Sequence, residues 1–262
     1  METVSTEPAK KALPRGTARY YLSYLRSLVF TDLLIYFYTM VCGTFSLAGS
    51  LFDSGGRWQH FWARTWSWLI LKTSGIQVRV EGLEKVKPRA TTIFCVNHFS
   101  AMDIPILFVH LPVQFRFVAK RELFNYPFLG WHLRRSGHIA VDRVRPREAM
   151  KSFEDAARKV RSGVSVVLFP EGTRSRTGEL QAFKAGTFYL AILSGVPVVP
   201  ITLNGTRYVH EPDTYHVRAG QTEMIIHDPI PTSGLTTHDV DRLSAQVRER
   251  IVSRMRPMAG RM

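Results

Sequence analysis

The amino-acid sequence predicts an α/β protein: a mixed, mostly parallel sheet flanked by helices, with an N-terminal membrane-embedded helical pair. Three observations predict it. After Gly75, short apolar, β-branched runs alternate with stretches of helical periodicity, the pattern of strand–helix units around a buried sheet. Residues 33–52 form a run of 20 positions without a charged side chain, about the length a helix needs to cross a bilayer. Four of the five tryptophans, Trp58, Trp62, Trp66 and Trp68, fall within eleven residues among Arg57, Arg64 and Lys72. Indole rings favour the headgroup level, and long cations snorkel to the same depth.

Taken in order, residues 1–18 are polar and carry Lys10, Lys11 and Arg15, and are expected to be a basic flexible tail. Residues 19–74 are expected to be the membrane-associated pair, with helices over 20–52 and 57–72. Asp32 and Asp53 bracket the apolar run and Arg19 and Arg26 precede it. A small-residue cleavage site is missing from convincing register, so an uncleaved anchor is expected rather than a signal peptide. Residues 75–262 are expected to be the α/β domain. Its strands are predicted over 77–80, 91–96, 115–119, 138–141, 164–169, 196–203 and 223–227. Helices are predicted over 104–110, 145–161 and 185–193, and a basic amphipathic helix over about 237–255. The clearest is 145–161, where Ala149, Phe153, Ala156, Ala157 and Val160 recur at helical spacing and Gly163 follows as a stop.

Composition narrows the function classes. Hydrophobic residues at 45% and charged residues at 21% mark a folded chain rather than a disordered one. The formal net charge of +14 points to a polyanion partner, nucleic acid or an anionic membrane surface. The charge is scattered and no nucleic-acid motif accompanies it, so the membrane surface is favoured and nucleic acid is not expected. Cys42 and Cys95 lie in apolar runs without Cys/His spacing, as buried reduced thiols do; neither a disulfide framework nor a metal site is indicated.

Two strings carry chemistry. Asn97-His98-Phe99-Ser100-Ala101-Met102-Asp103 follows a predicted strand and precedes a predicted helix, at the strand end where open α/β sheets gather their catalytic groups. Five helical steps rotate by about 140°, so His98 and Asp103 cannot share a helix face. Across a strand-to-helix turn, however, the carboxylate can fold back onto the ring. It then fixes the tautomer and leaves the second nitrogen free to take a proton from an alcohol. What singles the pair out is the seven-residue string around it and its place at a strand end. The second string is Phe169-Pro170-Glu171-Gly172-Thr173-Arg174-Ser175. Gly172 permits a tight path, Thr173 offers a hydroxyl, and Arg174 presents a planar fork suited to phosphate oxygens. Lys120-Arg121-Glu122 and Lys184-Ala185-Gly186 add cations at element ends, whereas Arg143 and Arg145 read as solvated surface. Residues 196–201, apolar with Pro197 and Pro200, read as an edge strand or the wall of an apolar groove.

The ordered strings NHFSAMD, FVAKREL, FPEGTRS and VPVVPI resemble the four signature blocks of the glycerolipid acyltransferases, most of all the 1-acyl-sn-glycerol-3-phosphate acyltransferases of the PlsC type. The resemblance implies an acyltransferase that moves a fatty acyl group from acyl-CoA or acyl carrier protein to the hydroxyl of lysophosphatidic acid, or of another lysolipid. It implies His98 as general base and Asp103 as its orienting partner, with direct attack on the thioester and no cofactor. It further implies that Glu171, Gly172, Thr173 and Arg174 hold the acceptor, with Arg174 and Lys120 on its phosphate and Lys184 nearby, and that residues 196–201 line the acyl region. A bacterial inner membrane, with the active site on the cytoplasmic face, is expected on the same grounds. A serine hydrolase is disfavoured, because the chain contains no G-x-S-x-G string.

Overall fold

The computed structural model describes residues 16–53, 55–142 and 146–256. The expected tail lies outside the described residues apart from its last three positions, as do Arg143 and Arg145. Thr17 caps the first helix, its hydroxyl accepting from Tyr20 N at 3.2 Å.

Among the described residues seven strands form one sheet: β1 (Ile76–Glu81), β2 (Ile93–Val96), β3 (Phe115–Lys120), β4 (Ile139–Val141), β5 (Ser165–Leu168), β6 (Val198–Asn204) and β7 (Gly220–Ile226). The order is β1-β7-β6-β2-β5-β3-β4. Every pairing is parallel except β6–β7, so the sheet is mixed and mostly parallel. The central strands β2, β5 and β6 are buried along their whole length. A strand covered on both faces needs no alternation, which is why these segments read as mostly apolar runs.

One predicted element moves. Residues 196–201 do not make an edge strand: β6 is interior, between β7 and β2. Proline is tolerated there because Pro200 sits where the β6–β7 ladder ends. Its carbonyl accepts from His227 N at 3.0 Å, the regular pairing beginning only at Ile201 and Ile226. The missing N–H therefore falls at a break in the ladder rather than inside it.

The helices split between the two faces. On one face α3 (Arg57–Ser74) and α4 (Asp103–His110) cover Phe94, Val96, Phe115 and Ile201. On the other, α6 (Pro146–Arg161), α7 (Ala185–Ser194) and α9 (Val240–Ser253) cover Ile93, Cys95, Val166 and Leu168. A short helix, α5 (Leu129–Arg135), follows β3, and a single turn, α8 (Thr206–Val209), follows β6; neither has a sequence signal long enough to show periodicity.

Ahead of α3, α1 (Ala18–Arg26) and α2 (Leu33–Gly49) join through a π-helical stretch, Ser27–Asp32. Ser27 explains the stretch: its hydroxyl donates to Tyr215 O at 2.9 Å and accepts from Val217 N at 2.7 Å, so a remote loop is bonded into the helix at this point. The whole helix, Ala18–Gly49, is 32 residues long, and among the described residues it alone is long and apolar enough to cross a membrane. It leaves Leu33, Tyr36, Phe37, Met40 and Phe45 exposed, a face that in water would be unfavourable and in lipid is not. α2 and α3 pack as a hairpin, with Trp66 Nε1 donating to Thr39 Oγ1 at 2.9 Å and Phe45 stacked on Trp62. The two helices are not alike, however. Ala63, Ile70 and Leu71 of α3 belong to the core under the sheet, so α3 carries its partner onto the α/β unit.

Gly43 sets the closeness of α2 to α5. A Cβ there would stand 2.5 Å from the Phe128 ring. Replacing Gly43 with Leu is expected to force the two apart, at about 2 kcal/mol for overpacking. In differential scanning calorimetry the melting temperature should fall by roughly 5 °C.

Candidate active site

The carboxyl ends of β2, β5 and β3 lie side by side, because the three strands are parallel neighbours. The loop after β2 begins with Asn97, fully buried, whose amide donates to Leu203 O at 2.9 Å and accepts from Leu203 N at 2.7 Å. This pair imitates one more rung of the β2–β6 ladder, and it delivers His98 to the sheet edge. Asp103 opens α4, where a carboxylate is favoured by the helix dipole, and its side chain folds back over the loop. One oxygen, Oδ2, accepts from His98 Nδ1 at 2.8 Å, Phe99 N at 2.8 Å and Ser100 N at 2.9 Å. The carboxylate is completely buried. An acceptor held by two backbone N–H groups can only receive a proton from the ring, so Nδ1 carries the hydrogen and Nε2 is the basic nitrogen.

The imidazole is stacked on Phe169, with ring centroids 3.9 Å apart and planes inclined by 15°. Phe169 opens the turn after β5, so the second motif touches the first directly. Glu171 strengthens that link. It is 1% exposed, and its Oε1 accepts from His98 N at 2.6 Å while Oε2 accepts from Gln181 N at 2.9 Å. Burial pushes its carboxyl up to about 7, against the two N–H groups that favour the charged form. Ser175 N donates to His98 O at 2.9 Å from the other end of the turn. Gly172 lies between at φ 79°, a left-handed conformation that suits glycine.

The remaining predicted residues lie around this centre at varying distance. Arg174 is about one third exposed, and its Nη2 lies 3.8 Å from Asp213 Oδ1. Thr173 is exposed, with its carbonyl accepting from Gln181 Nε2 at 3.2 Å. Lys120 closes β3, exposed and 3.4 Å from Glu122. Lys184 is exposed at the start of α7 and donates its backbone N–H to Pro170 O at 2.7 Å. The structure therefore joins His98, Asp103 and Glu171 in one bonded unit, with Gly172 shaping the turn. Arg174, Lys120 and Lys184 are separate cations at the same rim.

The connection between β6 and β7 supplies a further wall that the motifs do not announce. Ser100 Oγ donates to His210 O at 2.8 Å. Arg207 donates to Ser175 O at 3.2 Å and Arg176 O at 2.6 Å. Asp213 faces both Arg174 and Arg176. These contacts cross between 31 and 110 positions of sequence, and only the strand order brings them together.

Residues 77–204 match the acyltransferase family. A 1-acyl-sn-glycerol-3-phosphate acyltransferase of Limnanthes douglasii is 36% identical over 174 residues, which are 66% of this chain and 61% of the relative's length. An uncharacterized acyltransferase of Schizosaccharomyces pombe is 31% identical over 71% of this chain and 67% of its own. The crystal structure of the 1-acyl-sn-glycerophosphate acyltransferase PlsC from Thermotoga maritima superposes with a TM-score of 0.72 at 26% identity, covering 89% of this chain and 93% of that one. The chain thus spans about three fifths of the plant relative and nearly all of the bacterial structure. Sheet order, the paired His98 and Asp103 at a strand end, and likeness along both sequence and fold lead to one conclusion: the chain belongs to the acyltransferase family.

Proposed function

We propose that the protein transfers a fatty acyl group from acyl-CoA or acyl carrier protein to the sn-2 hydroxyl of lysophosphatidic acid, giving phosphatidic acid. The observation that carries this reading is the 2.8 Å bond from His98 Nδ1 to a buried Asp103, which leaves Nε2 as a base at the rim where Arg174 lies. His98 Nε2 takes the hydroxyl proton as the oxygen attacks the thioester carbonyl. The C–S bond then breaks, the thiolate leaves, and the proton on His98 passes to it. Asp103 stabilises the imidazolium between these events. Arg174, with Lys120 and Lys184, binds the acceptor's phosphate. Glu171 acts as a positioning residue through the backbone of His98. Residues 19–74 form the membrane-associated part and 75–262 the acyltransferase domain. The membrane is a bacterial inner membrane, with the site on the cytoplasmic face where thioesters are made.

A panel of lysolipid acceptors with each donor, read by mass spectrometry of the products, tests the assignment. Phosphatidic acid should dominate. Efficient transfer to lysophosphatidylcholine with none to lysophosphatidic acid would move the protein to another acceptor. Arg174→Ala should raise the KM for lysophosphatidic acid about 10- to 100-fold, the range expected for a charge-assisted bond to phosphate. The same variant should leave the KM for the thioester donor near its original value.

A further inference from the structure

The fifth tryptophan stands apart from the other four in sequence. Trp131 lies on α5 and is 55% exposed. In the segment leading to it, Leu123, Tyr126 and Leu129 are 37%, 59% and 44% exposed. Exposed Lys120 and Arg121 precede them, and exposed Arg134 and Arg135 follow. Large apolar side chains are scattered singly on an ordinary soluble surface. Here four crowd into residues 123–131, aromatic and aliphatic together, between two pairs of cations. That is the composition of a segment lying at the headgroup level of an anionic bilayer.

The segment's position supports the same partner. Phe128 adopts φ 62° and ψ −61°, and Leu129 N donates to Pro127 O at 2.7 Å across it. This is a γ-turn of the hand that L-residues avoid. What holds it is α2: the Phe128 ring fills the space left by Gly43, and Ser46 Oγ lies 3.1 Å from His132 Nδ1. The apolar segment is thereby fixed against the one helix among the described residues whose length and composition suit a membrane. It also begins three positions after Lys120, which closes β3 at the same end of the sheet as His98.

We propose that residues 123–131 form a second membrane contact, continuous with α2, which inserts Tyr126, Leu129 and Trp131 among the headgroups of an anionic lipid surface. This inference rests on reading the N-terminal helix as membrane-associated. It holds the catalytic edge against lipid, so that a lysolipid reaches the base without first entering bulk water.

The test uses the full chain with single cysteines in place of Trp131, Phe37 or Glu84, each carrying an environment-sensitive dye; both native thiols are buried. Phe37 reports on α2, and Glu84 is an exposed position just after β1, at the opposite sheet edge. With phosphatidylglycerol vesicles brominated on their acyl chains, the dyes at 131 and 37 should be quenched and the dye at 84 should not. Quenching at 37 with none at 131 overturns the inference and leaves the N-terminal anchor standing. Quenching at neither overturns both. As a check that avoids labelling, Leu129→Ser with Trp131→Ser should weaken partitioning into the same vesicles about tenfold, from the apolar area withdrawn. Unchanged partitioning of a folded double variant also overturns it.

Discussion

Replacing His98 with Ala is expected to lower kcat for acyl transfer by about 10³-fold, in the middle of the range attributed to a positioned general base. Melting temperature and vesicle binding should stay close to those of the parent protein, because the imidazole side chain makes one hydrogen bond and one stack. The more informative variant is Asp103→Asn. Phe99 N and Ser100 N both need an acceptor where Oδ2 now sits, so the amide oxygen will take that place and the loop will keep its shape. The tautomer is then preserved and the charge is lost, while the amide NH₂ takes the place of Oδ1, a buried atom without a partner among the described residues, so a loss of stability should accompany the loss of imidazolium stabilisation. A fall of about 10²-fold or more in kcat is expected. The double variant should be no slower than His98→Ala alone, since Asp103 acts through a ring that is no longer there. A product of the two losses would instead give Asp103 a role independent of His98.

How far the sequence carries can be judged from particular residues. The strands are legible because β2, β5 and β6 are covered on both faces and so print as mostly apolar runs without alternation. The contact between His98 and Asp103 is legible because the two lie five positions apart across one strand-to-helix turn. Strand order is not: nothing in residues 196–201 says that this strand is interior, and two prolines argue locally for an edge. The break in the ladder at Pro200 exists only once β7 is in place. The contribution of His210, Arg207 and Asp213 is hidden for the same reason, as their partners are set by packing across the sheet edge. The role of α3 was half visible. Its tryptophans and cations mark an interface, but Ile70 and Leu71 look no different from Leu47 until the core shows which of them it buries.

Glu171 marks the sharpest difference between motif and geometry, and Glu171→Gln separates the two. A residue that grips the acceptor should, when altered, raise KM with kcat little changed. The structure instead gives both carboxylate oxygens to backbone N–H groups, of His98 and of Gln181. Glutamine has the same shape but one acceptor oxygen, so one of those N–H groups will face an NH₂ group. A buried donor left unpaired is worth about 1–3 kcal/mol. Because one of the two donors belongs to the base's own backbone, the loss should appear in kcat, about 10- to 100-fold, with the acceptor KM almost unmoved. The stability of the variant should also differ in its pH dependence. The Glu171 carboxyl lies at about 7 in the folded protein, above its ordinary value of 4.5, so between those values the folded state holds more protons than the unfolded one. Its contribution is therefore most favourable below pH 4.5 and is lost as pH rises through 7. Urea unfolding in detergent at pH 5 and pH 8 should show the parent losing more stability over that interval than Glu171→Gln, whose amide does not titrate. Equal losses would mean that the carboxyl is not perturbed by burial, and a KM effect without a kcat effect would return Glu171 to the acceptor.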